Sequence, residues 1–130
     1  MNKTYSLLFA CAVLSLIGAG CAGVLLAGGA AAGAGSIAFV QGELKTEEDI
    51  PISKVWMATI KTCGDMQFHI QEDNKDELTG RIYAIGSDDK KIYINLKSLS
   101  ENATEIRIRI NIFGDEVMSR RILSEIEKRL

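Results

Sequence analysis

The sequence has few of the residues on which most enzyme chemistry depends. It contains a single histidine, His69, and only three cysteines, at positions 11, 21 and 63. One histidine gives no basis for a catalytic triad or a histidine-rich metal site. No pair of cysteines has the spacing of a zinc site or of a Cys-x-x-Cys redox motif. We therefore predict that the protein is not an enzyme, that it has no catalytic or metal-binding residues, and that it takes no cofactor.

Charged residues are missing from one part of the chain. Residues 5–40 contain no Asp, Glu, Lys or Arg, whereas charged residues are frequent from Gln41 onward. A chain of 130 residues allows one domain, so this boundary separates an apolar N-terminal part from one globular domain. The chain has 15 basic and 17 acidic residues, and a net charge of -2 argues against a general nucleic-acid binder.

The apolar N-terminal part has the layout of a secretory signal. Lys3 precedes an apolar segment at residues 7–17, which is shorter than the roughly 20 residues that span a bilayer. Gly18, Ala19 and Gly20 then lead into Cys21. This arrangement resembles the lipobox of bacterial lipoproteins, although Gly18 stands where leucine is usual.

The lipobox resemblance implies that residues 1–20 are a signal peptide and that the Cys21 thiol accepts the lipid, with palmitate among the acyl chains. Two or three acyl chains anchor a protein stably, whereas one binds only marginally. Because Ala22 follows the cysteine, the analogy with lipoprotein sorting favours the periplasmic face of the outer membrane. Cys11 is a weaker candidate, since the apolar segment before it is very short. The alternative is an uncleaved signal anchor that contains Cys21.

The segment after the cysteine is rich in glycine and alanine. Residues 22–40 include Gly29 and Gly33, which match the small-xxx-small pattern of close helix packing in membranes. Glycine is also a poor helix former and is common in flexible linkers. We favour a tether over residues 21–36, with a membrane-associated helix as the alternative.

The remaining residues, 37–130, have the patterns of a compact α+β domain. Apolar residues at helical spacing from Ile52 to Cys63 predict a helix with Ser53 as its N-cap and Gly64 at its end. A second helix is predicted after Gly114-Asp115. Strands are predicted at residues 36–45, 67–72, 78–85, 91–99 and 105–113, with acidic or polar turns at residues 46–49 and 73–76. The order β-α-β-β-β-β-α predicts a two-layer fold in which two helices cover one face of an antiparallel sheet of four to five strands.

Several sequence segments together resemble a known family. They are Cys21 with its Gly/Ala-rich continuation, FVQGEL at 39–44, VWMA at 55–58, TEIRIR at 104–109, FGDE at 113–116 and SRRIL at 119–123. In this order and spacing they resemble a family of small bacterial lipoproteins of unknown function, a domain-of-unknown-function family. The resemblance implies an envelope location and this fold, and it implies a role for no residue except the lipidated Cys21.

Alternation along the predicted strands places a distinctive set of side chains on the sheet face that the helices leave uncovered. Five are basic and two are aromatic: Arg81, Tyr83, Lys91, Tyr93, Lys97, Arg107 and Arg109. Arginine suits carboxylate and phosphate, and tyrosine offers stacking area. We predict that this face binds an anionic envelope component, either a lipid headgroup or a glycan, or an acidic protein, with Arg107 and Arg109 pointing to water. The alternative is a solvated face whose basic residues pair with Glu105 and other acids across strands.

The sequence therefore predicts a membrane-anchored cell-envelope lipoprotein that acts as a binding or structural module. The alternative is an accessory subunit of an envelope enzyme or transport complex. Of the remaining notable residues, Trp56, Cys63 and Met118 are expected in the core, and His69 on the solvent side of a strand.

Overall fold

The structure is a computed structural model and describes residues 36–130. The predicted signal peptide, Cys21 and residues 22–35 of the predicted tether lie outside the described residues. The elements in chain order are β1 (Ala38–Val40), β2 (Glu43–Glu48), α1 (Ile52–Asp65), β3 (His69–Lys75), β4 (Thr79–Ile85), β5 (Lys91–Ser100), β6 (Ala103–Ile110) and α2 (Glu116–Glu127).

All six strands form one antiparallel sheet with the order β1-β2-β6-β5-β4-β3. Isoleucines alternate along β5 and β6, and their register pairs Ile92 with Ile110 and Ile94 with Ile108. All four are fully buried, because alternation directs every second side chain to the same face. That face is the sheet's side of the hydrophobic core.

Both helices cover this buried face. Helix α1 follows β2 and contacts β3, β4, β5 and β6, whereas α2 contacts β2 and β6. Ile122, Leu123 and Ile126 of α2 are at most 1% exposed. Asp115 caps α2, since its side chain accepts a hydrogen bond from the Met118 backbone N–H (3.0 Å). The predicted α+β class, with an antiparallel sheet and two helices, the second of them after Gly114-Asp115, is confirmed.

The predicted strand count and element order are wrong, because the sheet has six strands in the order β-β-α-β-β-β-β-α. Gln41 and Gly42 both have positive φ angles (53° and 80°) and fold the predicted strand at 36–45 into the β1–β2 hairpin. The predicted acidic turn at 46–49 is mostly strand. Thr46 is buried opposite Ile106, and this pairing extends β2 through Glu48.

Several predicted element ends also differ. Helix α1 starts after Pro51 rather than Ser53, without a side-chain cap, and it continues past Gly64 to Asp65. Strand β3 occupies most of the predicted turn at 73–76. Strand β6 ends at Ile110, because Asn111 has a φ of 54°.

The shorter β6 changes the environment of one apolar side chain. Ile112, which the alternation pattern assigns to the core face, is 79% exposed. Leu78, assigned to the same face, lies before β4 and is 64% exposed.

Trp56 lies at the edge of the core. Its side chain is half-buried and packs against the buried cluster, as does that of Met118. The Trp56 ring covers Gly80, where an added Cβ would be 2.8 Å from Cε3 of the ring. Cys63 is fully buried, as predicted. Among residues 36–130, neither helix has both the length and the apolar character needed to cross a bilayer.

Candidate functional site

The seven predicted binding residues lie on β4, β5 and β6. They alternate with core residues, so their side chains belong to the sheet face opposite the helices, which we call the open face. Tyr83, Tyr93 and Arg109 are direct neighbours across three strands. Arg81 and Arg107 flank Asn95 in the next row, and Lys97 is opposite Glu105. Lys91 begins β5 at one end of this face.

Glu105 gives the open face a buried carboxylate. Its side chain is 6% exposed and accepts from Lys45 (2.7 Å) and Arg107 (2.5 Å). Burial raises the pKa of Glu105, but the hydrogen bonds from Lys45 and Arg107 outweigh it and hold the pKa below the ordinary value. The same contact raises the pKa of Arg107. Arg107 is therefore partly neutralised by a contact within the fold.

Arg109 also makes contacts within the domain. Its Nη1 and Nη2 donate to the backbone carbonyls of Ile112 and Gln41, at 3.4 Å each. These bonds connect the end of β6 to the β1–β2 turn. The expectation that Arg107 and Arg109 simply point to water is wrong, since both side chains are half-buried and bonded.

The other three basic residues of the open face differ from Arg107 and Arg109 in their exposure and in their contacts. Arg81, Lys91 and Lys97 are exposed, and none of them forms a salt bridge with any residue between 36 and 130. Lys91 and Lys97 are six residues apart on one strand, which separates them by roughly 20 Å. Arg81 and Lys97 are diagonal neighbours on β4 and β5, so two of the three available cations lie close together and Lys91 lies apart from them.

Arg81 lines a groove on the open face with a cavity volume of about 480 Å³. The groove runs over β3, β4 and β5, and its other polar or aromatic walls include Glu72, Asn74, Tyr83, Tyr93 and Asn95. A smaller hollow of about 200 Å³ shares Arg81 and Asn95 and continues toward Lys97 and Arg107. The larger volume is in the range of ligand pockets.

The two tyrosines form a rigid wall of the groove. They are opposite each other on β4 and β5, with ring centroids 5.0 Å apart and ring planes 15° apart. Tyr93 is 37% exposed and Tyr83 is half-buried. Because each ring supports the other, the pair presents aromatic area to a ligand with little side-chain freedom to lose.

A tight turn shapes the other end of the groove. The Asp76 carboxylate accepts hydrogen bonds from the backbone N–H groups of Leu78 (2.8 Å) and Thr79 (2.7 Å) and from the Thr79 hydroxyl (2.9 Å). These backbone bonds, followed by the hydroxyl bond, lower the pKa of Asp76. Asp76 therefore stays ionised and fixes the β3–β4 connection beside the groove.

Sequence reasoning missed the part of the groove that β3 contributes. Counting alternate residues from Ile70 places Glu72 and Asn74 on the core side of the strand. A bulge between Ile70 and Glu72 reverses this, so Glu72 pairs with Tyr83 and Asn74 with Arg81. Asn95 lies between Tyr93 and Lys97 on the open side of β5, where the alternation pattern predicts it, although it is neither basic nor aromatic.

The single histidine and the described cysteine lie outside the groove. His69 is exposed on the edge strand β3, on the solvent side as predicted. Burial raises the pKa of the Cys63 thiol to about 11, so the thiol is a poor nucleophile at neutral pH. Within residues 36–130, no three His, Cys, Asp or Glu side chains come together in a way that would hold a metal ion.

Comparison with known proteins gives the chain a family. No curated protein matches the sequence. A family model described as "Protein of unknown function (DUF3568)" matches residues 4–129. Since that match covers nearly the whole sequence, the chain belongs to the DUF3568 family.

Proposed function

We propose that the protein is a lipoprotein of the bacterial cell envelope and acts there as a binding module. In this proposal residues 1–20 are removed as a signal peptide, and Cys21 carries the acyl chains on the periplasmic face of the outer membrane. Residues 21–36 connect the anchor to the domain. The support is Lys3 followed by the charge-free stretch of residues 5–40, and the small residues directly before Cys21.

The binding part of the proposal depends on the groove of the open face. It combines an exposed guanidinium, Arg81, with a stacked tyrosine pair and the side-chain amides of Asn74 and Asn95. A guanidinium fork binds a carboxylate in two-point fashion. Amide side chains donate and accept hydrogen bonds, and aromatic rings pack against flat apolar surfaces. A sugar with a carboxylate matches all three features, so an anionic glycan is the proposed ligand.

The other anionic ligands match the groove less well. A phosphate headgroup would meet the carboxylates of Glu72 and Asp76, which line the same groove as Arg81. Sugar hydroxyls, in contrast, can donate to Glu72. An acidic protein would need several available cations close together, whereas only Arg81 and Lys97 are neighbours and Lys91 lies six residues away from Lys97 along β5.

The glycan proposal is tested by calorimetric titration of the full-length chain with an oligogalacturonate and with its carboxyl-reduced, neutral counterpart. We expect the acidic sugar to bind more tightly. Arg81→Gln should weaken it about ten-fold or more, since hydrogen bonds to charged groups contribute about 1.5–3 kcal/mol. Tyr93→Ala should weaken binding of both sugars.

Lys91→Gln is the matched control, because it removes one positive charge from the same face outside the groove. It should leave both affinities unchanged. Equal binding of the acidic and neutral sugars would refute the role of Arg81. Binding to vesicles that contain phosphatidylglycerol, with no binding of either sugar, would replace the glycan by a lipid headgroup only if Arg81→Gln weakens the vesicle binding.

The anchor is tested separately by Cys21→Ala. Cells fed a fatty-acid analogue should label the wild-type chain, and the variant should remain unprocessed and unlabelled. Label on the Ala variant would contradict lipidation at Cys21.

A further inference from the structure

Four large apolar side chains are exposed at the end of the sheet where β1 meets β2 and β6 leads into α2. Val40 is 62% exposed, Ile112 79%, Phe113 89% and Val117 81%. They lie on the β1–β2 hairpin, the β6–α2 loop and the first turn of α2. We call these four residues the apolar tip. Such a group of exposed apolar side chains is unusual on a soluble surface and is typical of a contact site.

The backbone holds the apolar tip in place. Gly42 (φ 80°) and Gly114 (φ 82°) are in direct backbone contact, and a Cβ on Gly42 would overlap the Phe113 carbonyl. Arg109 bonds the carbonyls of both segments, at Gln41 and Ile112. The hairpin and the β6–α2 loop are therefore one rigid unit. This unit holds the four apolar side chains in contact with water, where their exposure is unfavourable.

The charges beside the tip favour an anionic partner surface. Of the acids beside the tip, Asp115 contacts Lys90 (3.2 Å) and Glu116 contacts Arg120 (2.9 Å), whereas Glu43, opposite Val40, forms no salt bridge within residues 36–130. Lys91 joins the tip through backbone and side-chain hydrogen bonds with Asn111. Lys91 forms no salt bridge within residues 36–130, and neither does the exposed Arg121, one helical turn after Val117.

The chain itself indicates what this surface contacts. Val40 is both a tip residue and the last residue of the charge-free stretch 5–40. Sixteen residues lie between Cys21 and Ala38, and a fully extended segment of that length reaches about 60 Å at most. The domain is therefore kept near whatever surface holds the N-terminal part, and apolar side chains flanked by cations suit a bilayer with anionic lipids.

We propose that the apolar tip inserts into the headgroup region of the membrane and orients the domain on it. This inference rests on the membrane anchorage in the proposed function and does not depend on the ligand of the groove. With the tip in the bilayer, the anchored domain would have one fixed orientation instead of turning freely on its tether.

Tryptophan fluorescence of the processed chain, purified from cell membranes and placed in vesicles, tests the proposal. Trp56 is the only native tryptophan, so the wild-type chain supplies the baseline. Phe113→Trp adds a reporter at the tip, and Leu99→Trp adds one at an exposed apolar position (44%) near the opposite end of β5. The vesicles contain phosphatidylcholine and phosphatidylglycerol, with or without brominated acyl chains, and flotation measures how much chain is bound.

We expect bromine to quench roughly half of the fluorescence added at position 113 and almost none of that added at position 99, since interfacial side chains reach the acyl boundary. Val117→Trp should behave like Phe113→Trp, which guards against a defect specific to one variant. Circular dichroism verifies that each variant folds.

Three results would overturn the proposal. Equal quenching at positions 113 and 99, with the chain floating, leaves the anchorage intact and refutes the tip. A chain that does not float refutes both the anchorage and the tip. The emission added by Phe113→Trp could also shift to the blue with rising protein concentration and show no bromine quenching. That result would mean that the tip contacts a second copy of the chain. None of these results bears on sugar binding, which the titrations measure.

Discussion

Gly80 is a position where one added methyl group should destabilise the protein by a calculable mechanism. It lies in β4 beneath the half-buried ring of Trp56. A Cβ at Gly80 would be 2.8 Å from Trp56 Cε3 and 3.0 Å from Cζ3, and 3.5 Å from Cβ of Leu96. The first two distances are shorter than carbon–carbon contact allows, so the ring would have to move off the sheet. We expect Gly80→Ala to be destabilising.

The magnitude follows from two opposing effects. Overpacking of this kind costs about 1–3 kcal/mol. Replacing a strand glycine by alanine recovers about 0.5–1 kcal/mol of backbone entropy. The net expectation is a loss of about 1–2 kcal/mol in the free energy of unfolding, because the clash exceeds the entropy gain.

A double-mutant cycle isolates the contact between Trp56 and Gly80. Trp56→Ala alone should cost about 3 kcal/mol, near the lower end for a large-to-small change, because the ring is only half-buried. In that background the added methyl meets no ring, so Gly80→Ala should become neutral or stabilising. Chemical denaturation followed by far-UV circular dichroism measures all four free energies.

Gly64 provides the matched control. It lies in the last turn of α1 without a positive φ, and a Cβ there would meet nothing within 4 Å. Gly64→Ala should therefore stabilise the protein by about 0.4–1 kcal/mol. An equal loss for Gly80→Ala with and without Trp56 would refute the steric explanation. A loss of stability for Gly64→Ala would show that α1 ends at Gly64, as the sequence predicts.

Two further predictions concern the open face and the tip. Glu105→Gln should cost about 1–3 kcal/mol at neutral pH, because Lys45 and Arg107 lose a charged acceptor. The folded pKa of Glu105 is below its ordinary value of 4.5, so its stabilisation is present above about that pH and is lost as the pH falls through the lowered pKa. The difference between wild type and Glu105→Gln should thus shrink in acid, and a constant difference in denaturation measurements from pH 7 to pH 3 would contradict the ion-pair account. Gly42→Ala and Gly114→Ala should each cost more than about 1 kcal/mol, because positive φ angles and backbone contact leave no room for a side chain. Melting curves that match wild type would show that the tip is not rigidly held.

The sheet centre and both helices were predictable because their sequence patterns have a strong physical cause. Ile106, Ile108 and Ile110 alternate with polar residues, and a strand with one buried face requires that alternation. The apolar residues at helical spacing from Ile52 to Cys63 arise from packing against that face, as do the buried Ile122 and Ile126 of α2. For these elements the burial pattern and the local sequence agree.

The edges of the sheet were less predictable, because single residues reverse the pattern there. Gln41 takes a positive φ that its side chain does not demand, and a hairpin results where one strand was expected. The bulge after Ile70 moves Glu72 and Asn74 to the open face. Neither feature changes the hydrophobic pattern enough to be seen in the sequence, yet the bulge supplies one wall of the candidate groove.

The neighbours of each basic residue on the open face determine whether its charge is available to a ligand. Arg107 is held by Glu105, and Arg109 is held by two backbone carbonyls, so reversing either charge would disturb folding before it reported on a ligand. Arg81 faces Asn95 and Asn74, which can accept hydrogen bonds but carry no charge. A ligand carboxylate can therefore pair with the Arg81 guanidinium without breaking a salt bridge of the fold. A substitution at Arg81 should change ligand affinity without changing the free energy of unfolding.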